Sequence, residues 1–291
     1  MIVLSRFFFS EVTIHCPTLV GAGLAAALLL AAAPLSAQDD GTREDVWRLR
    51  GLRNGFCVLF LLDPATASKS LPPGFRLVAA GDARDLHPAL KTEVEAQPEL
   101  KTWSPSHLCL YDVDTIQTHD YSLRDKGEKE TELLGLWTVN AMDPSGTKRD
   151  VALLLLTTNG RLIRSARLAG QTMREVDAKF GKAHEVDLDG RPSQDDRFQV
   201  KVGKTLVTWD GRQSEDSASA SGSVAIDWIA SAAAGGKAAG RLTLEPRWAQ
   251  PMIGALKVAG KDELAKALQG SPVRFVGPLY RGGGGEIHLL R

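Results

Sequence analysis

The chain carries no surplus of charge: 35 lysines and arginines stand against 35 aspartates and glutamates over 291 residues. Phosphate backbones are gripped by surplus positive charge, so this balance argues against nucleic-acid binding. Cysteine is scarce, three in all, and Cys16 belongs to the N-terminal segment discussed below. That leaves Cys57 and Cys109, too few to complete a structural zinc site alone. Beyond residue 37 no apolar run is long enough to span a bilayer; Val151–Leu156 has the length of a strand. No G-x-S-x-G elbow is present, and Ser217, Ser219, Ser221 and Ser223 lie in a polar, low-complexity stretch. Nucleophilic-serine chemistry therefore lacks its usual setting. His87, His184 and His288 are scattered singly, without ligand spacing. No metal and no cofactor is expected.

What is present begins with a leader. Arg6 is followed, after a polar stretch, by an uncharged run from Thr18 to Ala33 rich in alanine and leucine. Pro34 breaks the run, and Leu35-Ser36-Ala37 offers small residues before Gln38-Asp39-Asp40. A basic start, a short apolar centre and a small-residue exit define a cleavable signal peptide. The expectation is a signal over 1–37 and a single exported β-rich domain over 38–291, periplasmic or extracellular. Removing Arg6 and Glu11 keeps the balance, at 34 of each sign. Cys16 precedes the apolar run and is misplaced for lipid attachment. In an oxidising compartment Cys57 and Cys109, each inside an apolar strand-like stretch, form a disulfide or pack as two buried thiols; both readings stay open.

Period-two alternation dominates the rest. Phe198–Val202, a turn at Gly203-Lys204 and Thr205–Trp209 read as a hairpin. Further strands are expected at Phe75–Ala79, His107–Ile116, Leu134–Met142, Val151–Thr157, Arg161–Leu168, Ser223–Ile229, Arg241–Glu245, Val273–Val276 and Glu286–Leu290. Asn159-Gly160 and Asp210-Gly211 supply turn chemistry, Gly282–Gly285 reads as a loose turn, and Ala230–Gly240 as a flexible hairpin excursion. Helices are expected at Thr42–Arg50, Leu86–Gln97, Met173–Phe180 and Asp262–Leu268. The third rests on Thr172 and Glu175 as a capping box, with Gly181 beyond its end. The fold class is α+β, mainly β: a curved antiparallel sheet or open barrel with a few peripheral helices.

Two carboxylate groupings invite chemistry. Asp112 and Asp114 share a strand face near His119 and Asp120, where a hard cation could sit, but an outward polar face looks the same. Glu93 and Glu95 read as the solvated side of a short helix and not as a glycosidase pair.

Three local patterns stand in order along the chain: Phe56-Cys57-Val58-Leu59-Phe60-Leu61-Leu62-Asp63-Pro64 with Leu71-Pro72-Pro73-Gly74-Phe75, then Ala169-Gly170 leading to Phe180-Gly181-Lys182, and last Pro272-Val273-Arg274 through Tyr280. In turn they resemble the opening strand and proline-rich turn, the segment before the catalytic lysine, and the closing strand of the acetoacetate decarboxylases. The resemblance implies Lys182 as the catalytic residue, a Schiff-base amine acting on a ketoacid, which must be neutral to attack. Ala183 stands where the family has a second lysine, and Gly181 where it has proline. A lysine just past a helix C-terminus is also held in its charged form. The preferred reading is therefore a small-molecule binder of this fold, taking an apolar or carbonyl-bearing ligand, with the activity lost or changed. The alternatives are a lysine Schiff-base decarboxylase, and a structural or assembly protein of the cell envelope. The last follows because Gly170–Lys182 also resembles a helix-turn of small envelope assembly lipoproteins.

Overall fold

A computed structural model describes residues 45–118, 132–176, 197–202, 204–213 and 218–290. Residues 41–291 form one compact unit. Lys182, His119, Asp120, His184 and Gly203 lie outside the described residues.

The chain opens on β1 (Asp45–Leu62). Trp47 and Leu49 are buried while Arg48 and Arg50, alternating with them, are exposed, the pattern of a half-buried strand. This corrects the helix expected at Thr42–Arg50. The register against neighbouring strands shifts around Leu52–Asn54, and beyond it Phe56, Val58 and Phe60 turn to the opposite face. Past Leu62 come the short helices α1 (Pro64–Ala67) and α2 (Pro88–Ala96), then β2 (Arg76–Leu77) between them in sequence. A long meander follows through β3 (Ser104–Thr118), β4 (Glu132–Met142) and β5 (Lys148–Thr157), each antiparallel to the one before.

After β5 two expectations exchange places. Arg161–Leu168 is not a strand but the body of α3 (Gly160–Leu168). Asn159 caps it by accepting from the Arg161 amide at 2.9 Å, and Leu162, Ala166 and Ala169 fall on one buried side at helical spacing. Met173–Glu175, expected to open a helix, is instead β6, parallel to β5 with Met173 opposite Leu155. The Val176 amide continues that ladder to the Thr157 carbonyl at 2.9 Å. Over these residues, pairing with the buried strand β5 outweighs the local capping box of Thr172 and Glu175.

The remaining strands are β7 (Arg197–Val202), β8 (Thr205–Gln213), β9 (Ala218–Ser219), β10 (Val224–Ala230), β11 (Ala239–Gln250) and β12 (Met252–Ala259). Helix α4 (Glu263–Gly270), β13 (Arg274–Val276) and β14 (Leu279–Leu290) end the described chain. β7 and β8 form the expected hairpin, with Val202 opposite Thr205. Asp210-Gly211 does not turn but lies inside β8. Gly282–Gly285 is likewise no loose turn. It lies inside β14, where a side chain on Gly283 would meet the Glu245 carbonyl oxygen at 1.9 Å and one on Gly285 the Thr243 oxygen at 2.2 Å. Only glycine lets the neighbouring backbones come that close.

Eleven strands make one curved sheet, mixed because β5 pairs in parallel with β6 and β10, and β12, β8 and β7 make a second sheet. Within the large sheet β1, β3, β4, β5, β10, β11 and β14 pair in succession, each end meeting the other, so the seven form a ring. One apolar cluster draws inward residues from all seven strands, including Trp47, Tyr111, Leu134, Leu155, Trp228, Leu242 and Ile287. It is the ring's interior. Leu162 and Ala166 of α3 join it, so this helix plugs the ring and does not sit outside. A second cluster covers the outer face of β1, β3, β4 and β5 with β8, β12 and α4. A third packs α2 against Leu61 and Val273.

Candidate functional site

The ring's interior is not completely filled. A pocket of about 20 Å³, room for roughly one water-sized sphere, lies among Trp47, Tyr111, Leu134, Gly135, Leu136, Leu155, Met173, Trp228, Leu242, Ile287 and Leu289. No ionisable acid or base other than the Tyr111 phenol is among them. The strands aim these side chains inward because alternate residues share a face. Two of the three aromatics lie over glycine. A β-carbon on Gly240, the cross-strand partner of Trp228, would fall 2.2 Å from the indole ring, and one on Gly55 would fall 2.9 Å from the Tyr111 ring.

The polar atoms of these aromatics differ in their partners. Trp228 donates its indole N–H to Gln171 Oε1 at 3.4 Å, and Gln171 donates in turn to the Ala239 carbonyl at 2.6 Å. Trp47 is 1% exposed, and its indole nitrogen finds no acceptor among the described residues. The Tyr111 hydroxyl lies 3.9 Å from Cys57 Sγ. Burial, with Tyr280 nearby, raises the Tyr111 pKa, so the phenol stays protonated.

Cys57 and Cys109 are register partners on β1 and β3, and their sulfurs are bonded as a disulfide. Cys109 belongs to the interior cluster and Cys57 packs against it, so the cross-link forms part of the ring's inner wall.

Farther along the same inner face lies a polar group that sequence reasoning missed. Thr138, two residues from the pocket residue Leu136, places its hydroxyl 2.7 Å from His107 Nε2. Asp150, register partner of Trp228, puts Oδ2 3.7 Å from the same nitrogen and accepts from Asn140. A nucleophile relay needs the hydroxyl and the carboxylate on opposite ring nitrogens, and here both meet Nε2. Thr138 is also fully buried. The group is a titrating strut, not a catalytic triad. Its separate residues carry no recognisable spacing in sequence; only the register of β3, β4 and β5 assembles them.

Burial lowers the His107 pKa, with Asp150 opposing and Lys148 adding to the shift. Burial raises that of Asp150, against the pull of His107 and Lys148. The two linkages have opposite sign. His107 contributes stability that is complete above its unfolded value of about 6.5 and is lost as pH falls through its folded value. The Asp150 contribution is present below the ordinary carboxylate value and lost as pH rises through its folded one. His107→Gln is therefore expected to lose less stability than the parent between pH 7 and pH 5, by urea unfolding at each pH. An equally steep loss contradicts this role.

The other sequence candidates disperse. Asp114 accepts from Arg53 Nε at 2.6 Å at the surface, while Asp112 is buried and accepts from Asn54 at 3.5 Å. Among the described residues no group of three or more metal-ligating side chains gathers. Glu93, half-buried on α2, accepts from Gln97 at 3.0 Å, and the exposed Glu95 lies 3.9 Å from Lys91. His87 caps α2 by accepting from the Ala89 amide at 3.2 Å. His288 lies 3.3 Å from Glu286.

No protein-family model and no curated relative matches the chain. Among solved structures it is similar to the enduracididine biosynthesis enzyme MppR complexed with pyruvate, at 12% identity and a TM-score of 0.46 over 93% of this chain and 96% of that one. It is similar to an acetoacetate decarboxylase-like enzyme from Sphingomonas wittichii at 9% identity and a TM-score of 0.46, over 85% and 90%. It is also similar to acetoacetate decarboxylase from Legionella pneumophila at 9% identity and a TM-score of 0.43, over 84% of each chain. Two of these three structural neighbours are an acetoacetate decarboxylase and an acetoacetate decarboxylase-like enzyme.

Proposed function

We propose that this is an exported protein whose strand ring holds a small apolar or carbonyl-bearing molecule, with the fold's activity lost or changed. The observation that carries the reading is the unfilled apolar pocket at the centre of the ring, walled by three aromatic and several aliphatic side chains. The leader pattern supports export, and so does the Cys57–Cys109 disulfide, since such bonds persist in oxidising compartments. A ligand larger than water is admitted by movement of Met173, an unbranched, half-buried side chain on a three-residue edge strand.

Calorimetric titration of residues 38–291 with cyclopentanone tests the proposal. Binding is expected in the parent and lost in Leu136→Phe, which fills the pocket from β4. Retained binding in a folded Leu136→Phe protein places the ligand elsewhere and ends the reading. The competing proposal, a Schiff-base lyase, rests on the Phe180-Gly181-Lys182 pattern. Borohydride trapping with acetoacetate and peptide mapping decides it: an adduct on Lys182 supports a lyase, and an unlabelled, inactive, folded protein removes it.

A further inference from the structure

We infer that the ring pocket selects a neutral molecule carrying an acceptor oxygen, such as a ketone or an ether, and refuses the matching carboxylate. The inference rests on the pocket reading above and adds the chemistry of recognition. Two polar groups among the lining residues can donate a further hydrogen bond. The Trp47 indole N–H is buried without an acceptor among the described residues, a state that leaves a desolvated donor unsatisfied. Among the described residues the Tyr111 hydroxyl has Cys57 Sγ as its partner, at 3.9 Å, and a disulfide sulfur has no proton to give. The phenol therefore donates, and to a weak acceptor that an oxygen would replace. The third polar atom, the Trp228 N–H, is already engaged with Gln171. An acceptor oxygen entering the pocket satisfies donors that the protein itself leaves spare.

The same wall excludes charge. No lysine, arginine or histidine is among the described residues that line the pocket. A carboxylate would be desolvated there without a counter-ion, which is far costlier than burying a neutral carbonyl given two donors.

Ligand-detected NMR titration of residues 38–291 with cyclopentanone, cyclopentane and cyclopentanecarboxylate separates the outcomes. Expected is saturable binding of the ketone and the hydrocarbon and none of the carboxylate. Tyr111→Phe, which removes only the hydroxyl, should weaken the ketone about five- to tenfold, the scale of one net hydrogen bond, and leave the hydrocarbon within about twofold. Trp47→Phe, a larger change, should lower the ketone-to-hydrocarbon affinity ratio in the same direction. Unchanged ratios in both variants overturn the donor assignment while leaving an apolar pocket in place. Carboxylate binding as tight as the ketone's overturns the charge exclusion. Binding of none of the three overturns the inference together with the pocket reading.

Discussion

Exchanging Cys57 and Cys109 together for alanine is expected to lower the free energy of unfolding by about 4 kcal/mol. The figure follows from the chain entropy that the cross-link removes from the unfolded state across a sequence separation of 52 residues. It is a large share of the roughly 5–15 kcal/mol by which such domains are stable. The bond joins β1 to β3 in the ring and encloses α1 and α2 in its loop. Guanidinium unfolding with and without a thiol reductant measures the effect. Reduced parent protein and the double variant should unfold at similar concentrations, both well below the oxidised parent. Cys109 is completely buried, so the variant also loses packing, and the reduced parent isolates the cross-link from that loss. A difference below about 1 kcal/mol between oxidised and reduced parent contradicts the expectation.

The second large effect concerns the floor beneath Trp228. Gly240→Ala is expected to destabilise by about 1–3 kcal/mol, the range for overpacking, because the new methyl would lie 2.2 Å from the indole ring if nothing moved. Trp228→Leu removes the far ring atoms and leaves a void, at a cost of about 2–4 kcal/mol. Joined, the two changes relieve each other's misfit, so the double variant should be more stable than the sum of the single effects implies. Urea unfolding of the four proteins in this cycle gives the coupling energy. A coupling near zero would mean that Trp228 does not lie across Gly240, and that the pocket wall is built differently.

Most of the sheet was legible because its strands are apolar runs or apolar–polar alternations bounded by turn signals. Leu134–Met142 and Val151–Thr157 are nearly continuous apolar runs, covered on both faces, and the Phe198–Trp209 hairpin alternates in sequence. The errors arose where local signals compete with tertiary pairing. Asn159 ahead of Leu162, Ala166 and Ala169 is a capped helix with one apolar side, yet its interspersed arginines mimic strand alternation. Thr172 and Glu175 offer a cap, but β5 offers Met173 and Val176 a ladder. Gly282–Gly285 reads as a turn because glycine has the same signature whether the chain turns or a neighbouring backbone comes close.

The site was less legible than the fold. Lys182 was picked out by family resemblance and lies outside the described residues. The pocket itself draws on Trp47, Tyr111 and Trp228, which stand on β1, β3 and β10 with no shared motif. Ring closure, through the pairing of β4 with β5 and of β10 with β5, is what brings them together. The glycines under two of them, Gly55 and Gly240, were the readable trace of that convergence.

Intermolecular nuclear Overhauser effects from bound cyclopentanone to methyl-labelled residues 38–291 test the ring-pocket proposal most directly. The expected result is contact with the methyl groups of Leu134 on β4 together with those of Leu242 on β11 and Ile287 on β14, which ring closure brings to one pocket. Contacts confined to methyls outside the ring, or none at saturating ketone, would contradict it.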